Sequence, residues 1–163
     1  MKETFLHYSD KPLYRATSCL KGLKADTKPA GLWFTDTTEY NWKWWCRAEK
    51  FRVHKLRVVT EVVVDPTRLL FLRSANAIDR FTKEFEDQKS FPFMRRWNID
   101  WPRVAEDYAG IVITPYQWER RLTDHAKWYY TWDCASGCIW NSKAILEIKP
   151  CKPVTRSRSR SSP

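Results

Sequence analysis

Glycine is scarce in this chain. Only Gly22, Gly31, Gly110 and Gly137 occur among 163 residues, so no glycine-rich loop exists to cradle phosphates with backbone amides. The three histidines, His7, His54 and His125, stand far apart and give neither a metal spacing nor a Ser-His-Asp arrangement; each reads as a surface or packing residue. No paired-carboxylate pattern of a glycosidase is present. No apolar run approaches the roughly 18 residues that a bilayer-spanning helix needs. The N-terminal Met1-Lys2-Glu3-Thr4-Phe5-Leu6-His7-Tyr8 carries a Glu and a His and lacks the apolar stretch of a signal peptide. The expectation is a cytoplasmic protein with no membrane partner. Five cysteines, Cys19, Cys46, Cys134, Cys138 and Cys151, are odd in number and irregular in spacing, which argues against a disulfide framework. Cys134 and Cys138 lack the two-residue gap of a zinc knuckle, so no metal site is expected and the thiols read as small buried side chains.

What is present is apolar bulk, aromatic rings and positive charge. Hydrophobic residues make up 43% of the chain, enough for a folded core, and the length suits one domain. The net charge is +10. Lys149, Lys152, Arg156, Arg158 and Arg160 fall in the last fifteen residues with no acid among them. Such an excess fits a polyanionic partner bound in a salt-sensitive way, and it equally fits simple solubility. Ten tryptophans are unusual in a chain of this length. Several alternate with cations, as in Trp42-Lys43-Trp44-Trp45-Cys46-Arg47 and Arg95-Arg96-Trp97. That interleaving suits stacking on bases or on a nucleotide, although any one tryptophan reads first as core.

The pattern divides the chain into a globular domain, residues 1–149, and a basic Arg/Ser tail, residues 150–163, which has nothing to bury and could touch nucleic acid. Strands are expected at Leu13–Ser18, Leu32–Thr35, Leu56–Val64, Arg68–Leu72, Ile111–Ile113, Tyr129–Trp132 and Cys138–Asn141. Helices are expected after Asp36, with Glu39 closing a capping box, and after Ser74 and Asp100. Strands outnumber helices and do not alternate with them, so the fold class is α+β, with split mixed and antiparallel sheets flanked by helices.

The segment Trp132-Asp133-Cys134-Ala135-Ser136-Gly137-Cys138-Ile139-Trp140-Asn141 sets a lone carboxylate, two thiols and a hydroxyl between tryptophans. Asp133 could stabilise positive charge developing on a sugar carbon or accept a proton; it could also cap the turn at Gly137. Arg15, in a partly apolar stretch, calls for an anionic partner such as a diphosphate, or for a surface acid. Thr35 and Thr37 could hold a ribose or phosphate, or serve as capping groups.

Together these features resemble the ADP-ribosyltransferase family in its small phage and bacterial form. Tyr14-Arg15-Ala16-Thr17 followed by Gly31-Leu32-Trp33-Phe34-Thr35-Asp36-Thr37 looks like the first half of that fold. Tyr108-Ala109-Gly110-Ile111-Val112-Ile113-Thr114-Pro115-Tyr116 is similar to its middle, and Cys138-Ile139-Trp140-Asn141-Ser142-Lys143-Ala144-Ile145 to its last core strand. The resemblance spans residues 12–148. It implies NAD in a cleft between two small sheets, with Arg15 on the diphosphate and Thr17 beside it. Thr35, Thr37 and Ser136 would serve as hydroxyl ligands, Trp33 or Tyr40 would stack on nicotinamide, and Asp133 would be the catalytic carboxylate that stabilises the oxocarbenium-like ribose as nicotinamide leaves. The family's arginine class carries a Glu before the late strand; this chain offers Asp133 there. The implied activity is NAD-dependent ADP-ribosyl transfer to a protein or nucleic-acid acceptor, and it requires Arg15, Thr35 and Asp133 to meet in one cleft. Two competing readings are a non-enzymatic nucleic-acid-binding module that stacks bases on its Trp/Arg/Lys surface, and a small inhibitory protein that blocks a partner.

Overall fold

The computed structural model of the chain describes residues 2–151. The expected basic tail lies outside the described residues, apart from Pro150 and Cys151. Pro150 is the last residue of a strand, and the Cys151 amide donates to the Val59 carbonyl at 2.8 Å, so the sheet runs slightly past the expected boundary.

The valine-rich run forms β4, Val58–Val64, the middle strand of a three-stranded antiparallel sheet. Its neighbours are β1, Glu3–Ser9, and β9, Ile145–Pro150. The expected strand at Leu13–Ser18 does not form. Residues 12–19 cross the surface without strand pairing. They are tied down only at their end, where Ser18 Oγ meets Ser142 Oγ at 2.9 Å and the Cys19 amide donates to the Trp140 carbonyl at 2.7 Å. Pro12 has no amide to give a ladder, and most of these side chains are exposed. β4, buried along most of its length, needs pairing on both edges; residues 3–9 supply one of them, with Phe5 turned into the core.

A second sheet runs β3 (Leu32–Phe34), β8 (Ser136–Ile139), β7 (Gly110–Ile113), β5 (Leu69–Leu72). Its pairs are antiparallel except β5 with β7, which are parallel. Parallel neighbours need a long crossover, here made by α2 (Ala75–Phe85) and α3 (Trp101–Asp107). A short pair, β2 (Ala25–Asp26) with β6 (Ile99–Asp100), lies beside α3. The expected caps hold for both helices: Ser74 Oγ accepts from the Ala77 amide at 3.2 Å and Asp100 Oδ1 from the Arg103 amide at 3.3 Å.

The four-stranded sheet has core on both faces, as strand alternation dictates. Val112, Ile139, Phe34 and Leu69 pack against Phe5, Val62 and Val64 of the first sheet. Ile111, Ile113 and Cys138 point the other way, toward Ile78, Phe81 and Phe85 of α2, Trp101 of α3, and Trp128, Trp132 and Trp140. Gly137 is required in the middle of this sheet, between β3 and β7: a Cβ there would stand 2.6 Å from the Phe34 ring and from the Ile111 carbonyl.

Tyr129–Trp132 is not a strand. Lys127–Thr131 forms a 3-10 turn with Trp128 and Tyr129 both buried. The helix expected after Asp36 starts later, as α1, Trp42–Ala48, with Asn41 as its cap. Asp36 is diverted into its own turn, accepting from the Thr38 amide and hydroxyl at 3.1 and 2.7 Å, and it also accepts from the Thr114 hydroxyl. The coarse expectation of an α+β fold with antiparallel and mixed sheets and few helices holds. Among the described residues no helix is long and apolar enough to cross a membrane.

Trp101, Trp128, Trp132 and Trp140 are almost wholly buried, and each removes on the order of 200 Å² from water, roughly 5 kcal/mol of transfer free energy. Three of their indole N–H groups are satisfied: Trp101 by the Asp26 carbonyl at 3.0 Å, Trp128 by the Thr82 hydroxyl at 2.8 Å and Trp140 by the Tyr108 carbonyl at 2.7 Å. Trp132 Nε1 has no acceptor among the described residues. Replacement by Phe therefore separates the four. Trp128→Phe and Trp140→Phe each remove a bond and should lose about 1–3 kcal/mol more in urea unfolding than Trp132→Phe, which relieves an unmet donor. Equal losses across the series would show that the hydrogen bonds contribute nothing.

Candidate functional site

The two sheets meet where β1 and β3 run side by side. The Leu6 amide donates to the Thr35 carbonyl at 2.8 Å and the Thr35 amide to the Leu6 carbonyl at 2.9 Å. Beyond this bridge the sheets part, and a cleft with a volume of about 280 Å³ opens between them. Its lining comes from four places: His7 and Tyr8 of β1, Trp33 and Thr35 at the end of β3, Trp42 of α1, and Ser136 of β8. Lys28, Arg52 and Lys55 complete the wall, and no carboxylate is among the lining residues.

Thr35 is buried at the back of this cleft. Its hydroxyl donates to the Ala135 carbonyl at 2.6 Å and accepts from the Trp42 amide at 3.0 Å. It is therefore committed to holding α1 and the 133–136 turn in place, in line with the capping alternative rather than with a ribose ligand. The Ala135 amide adds a bond to the Tyr40 carbonyl at 2.9 Å, and the Asn41 side chain accepts from the Trp44 amide at 3.0 Å. These bonds orient Trp42 into the cleft.

His7 Nδ1 lies 2.7 Å from the Trp33 carbonyl. A carbonyl only accepts, so Nδ1 carries the proton and Nε2 of the neutral ring is left as the acceptor. Lys28 Nζ lies 5.5 Å from the centre of the Trp33 ring and 3.8 Å from Asp133 Oδ2. Arg52 has φ 45° and ψ 32°, the left-handed region that costs a non-glycine residue roughly 1–2 kcal/mol. The tight turn between α1 and β4, with Lys50 also at positive φ, holds this cation at the rim.

Of the residues singled out in the sequence, Trp33, Thr35 and Ser136 line the cleft. Asp133 lies one ion pair outside it, with Lys28 on one side and Arg121 Nη2 at 3.8 Å on the other. Arg15 and Thr17 are exposed on the unpaired segment and are not among the lining residues, and Thr37 is exposed. Tyr40 packs edge-on to Trp44 and Trp118 on the outer surface instead of entering the cleft. The required meeting of Arg15, Thr35 and Asp133 thus does not occur: Thr35 alone lines the cleft, Asp133 stands one ion pair outside it and Arg15 lies elsewhere. A strand position comes from β1 as expected of a first strand, but the residue it supplies is His7. The cations come from Lys28 and from the run Arg47-Ala48-Glu49-Lys50-Phe51-Arg52-Val53-His54-Lys55. That run of cations was visible in the sequence; what it faces was not.

Burial pushes the Asp133 carboxyl above its usual range, opposed by Lys28 and Arg121 and reinforced by Glu49. Burial also raises the Cys134 thiol to about 12 and Cys138 well above the ordinary value, so neither offers a thiolate nucleophile near neutral pH. Among the described residues no group of three His, Cys, Asp or Glu side chains could hold a metal ion. No family model matches the chain, and no curated protein or solved structure matches it.

The raised Asp133 carboxyl has a defined consequence for stability. The folded state binds this proton more tightly than the unfolded chain does. Stability contributed here is therefore present below the unfolded value of about 3.9 and lost as pH rises through the folded value. Asp133→Asn should abolish that decline. The stability difference between variant and parent, followed by urea unfolding from acid to neutral pH, should move in favour of Asn as pH rises. A difference moving toward Asp would mean that Lys28 and Arg121 outweigh burial.

Proposed function

We propose that the cleft binds a nucleotide of the NAD class, and that the protein is an NAD-dependent ADP-ribosyltransferase with an ADP-ribosyltransferase-like fold. The observation that carries the binding is the cleft wall itself. Trp33, Trp42 and Tyr8 offer aromatic faces, and Lys28, Arg52 and Lys55 offer positive charge with no carboxylate among the lining residues. Planar rings and a polyphosphate are the ligand chemistry that such a wall selects. The cavity lies just under the usual range for small-molecule pockets. It suits one nucleoside half, and the diphosphate would lie across the cationic rim. A split between two small sheets, with β1 and the end of β3 at its edge, supports the family reading.

In this reading Lys28, Arg52 and Lys55 take the role first given to Arg15, and His7 Nε2 accepts from a ribose hydroxyl. NAD, when bound, supplies an ADP-ribosyl group through cleavage of its carbon–nitrogen bond to nicotinamide. The acceptor nucleophile forms the new bond to the same ribose carbon and gives up a proton. Asp133, at the mouth of the cleft beside Lys28, is the carboxylate nearest that event and the group to take the proton.

One observation favours a second reading, a binding module without catalysis. Both Asp133 oxygens face cations, Oδ2 toward Lys28 and Oδ1 toward Arg121, and the side chain stands outside the lining.

Titration calorimetry with NAD and transfer from radiolabelled NAD separate the two. Binding heat is expected for the parent protein. Arg52→Gly should lose at least tenfold in affinity while unfolding at the same or higher urea concentration, because glycine accepts the positive φ without strain. Label transfer to protein or nucleic acid in a cell lysate, lost in Asp133→Asn with NAD binding retained, supports the enzyme. Binding without transfer supports the module, and absence of NAD binding rejects both.

A further inference from the structure

Outside the cleft runs a row of exposed aromatic rings edged with cations. Trp44 and Trp118 are 40% and 46% exposed, although tryptophan is costly to leave in water. Tyr40 joins them, with ring centres 5.1 Å from Trp44 and 5.3 Å from Trp118, both edge-on. Trp118 also meets Tyr116 edge-on at 4.7 Å; each such contact covers a face of only one ring of the pair, and the exposed remainder of Trp44 and Trp118 stays open to a further planar group. Beyond Trp118 the Arg121 guanidinium lies 5.9 Å from its ring centre, and Arg121 Nε has no acceptor among the described residues. Arg121 then shares a shallow hollow of about 220 Å³ with Trp97, Lys127 and Tyr130, and Lys127 Nζ stands 5.3 Å from the Trp97 ring centre. At the opposite end Trp44 shares a second hollow with Lys43 and Arg47, and no acid lines it. Acids near the row include Glu39, next to Tyr40 in sequence, Glu119, Asp124, which pairs with Lys127 at 3.0 Å, and Asp133, which pairs with Arg121.

We propose that this row binds single-stranded nucleic acid, with bases stacked on Trp44, Trp118 and Trp97 and phosphates held by Lys43, Arg47, Arg121 and Lys127. The row combines the two demands of that ligand, planar apolar faces and a polyanionic backbone, in alternation along one path. A duplex cannot use it, because its base faces are already stacked. An acidic peptide would meet the cations but leave the indole faces wet. Arg121 also ties the row to the cleft: it pairs with Asp133, which pairs with Lys28 in the cleft wall. A strand held by Arg121 is therefore two ion pairs from the cleft wall. Its service as the ADP-ribosyl acceptor rests on the proposed NAD reading; its binding does not.

Fluorescence anisotropy with labelled oligo(dT) and oligo(U), beside a blunt duplex of equal length, tests this on the full chain. Single strands are expected to bind at least tenfold tighter than the duplex, with affinity falling steeply as salt rises. Trp44→Ala and Trp118→Ala should each weaken single-strand binding by about 5- to 150-fold, and Arg121→Gln should flatten the salt dependence. Both tryptophans are surface residues, and the more conservative Trp118→Leu should show the same loss if stacking is the cause. NAD binding measured on the Trp44 and Trp118 variants should not change. Duplex binding as tight as single-strand binding, or full affinity in both tryptophan variants, overturns the proposal and assigns any binding to diffuse charge, including the basic residues 152–160. Oligonucleotide binding with no NAD heat leaves the row standing and rejects the cleft reading; NAD heat with no oligonucleotide binding does the reverse.

Discussion

The Thr35 side chain is the joint on which the site depends. Its backbone pairs with Leu6 and so couples the two sheets, while its hydroxyl bonds at once to the 133–136 turn and to the first turn of α1. The bond to the Ala135 carbonyl is buried and the one from the Trp42 amide partly so, and losing the buried one leaves a dry polar group at a cost of about 1–3 kcal/mol. His7, Trp33, Trp42 and Ser136 hold their places relative to one another because these four segments converge on one residue. Without that joint the sheets would still share the core of Phe5, Val62 and Val64 against Phe34, Val112 and Ile139, but the cleft would have no fixed shape.

Seven of the ten tryptophans fall into two populations with different physics. Trp101, Trp128, Trp132 and Trp140 are buried between the helices and the four-stranded sheet, where three of them meet the polar demand of the indole with a specific acceptor. Trp44, Trp97 and Trp118 remain substantially exposed and lie beside cations. The first group explains why so small a domain holds together with so few glycines and no disulfide. The second explains the unusual composition as surface chemistry, since stability alone does not call for exposed indole. Asp133 sits between the two functional surfaces, partly buried and opposed by two cations, and its carboxyl is nonetheless raised.

Local signals carried much of the fold in the sequence. The valine run became β4, and Ser74 and Asp100 cap α2 and α3 because a side-chain oxygen followed by an apolar periodicity is a short-range pattern. Failures came where tertiary demand overrode local pattern. Residues 3–9 look unremarkable until β4 is seen to need a second partner, and Leu13–Ser18 looks like a strand but finds no edge to join. Asn41 displaced Asp36 as the cap because Asp36 is held by Thr38 and Thr114. For the site, Trp33, Thr35 and Ser136 were legible because they flank the strand ends that bound the cleft. Arg15 was misplaced along with its strand. His7, Lys28, Arg52 and Lys55 reach the cleft through pairings over long sequence separations, which no local spacing encodes.

A crystal structure of the protein grown with NAD tests the central claim most directly. The account predicts a nucleoside ring against Trp33 and Trp42, with the diphosphate beside Arg52, Lys55 or Lys28. An empty cleft at saturating NAD, or NAD bound on another face with the cleft unchanged, would contradict it.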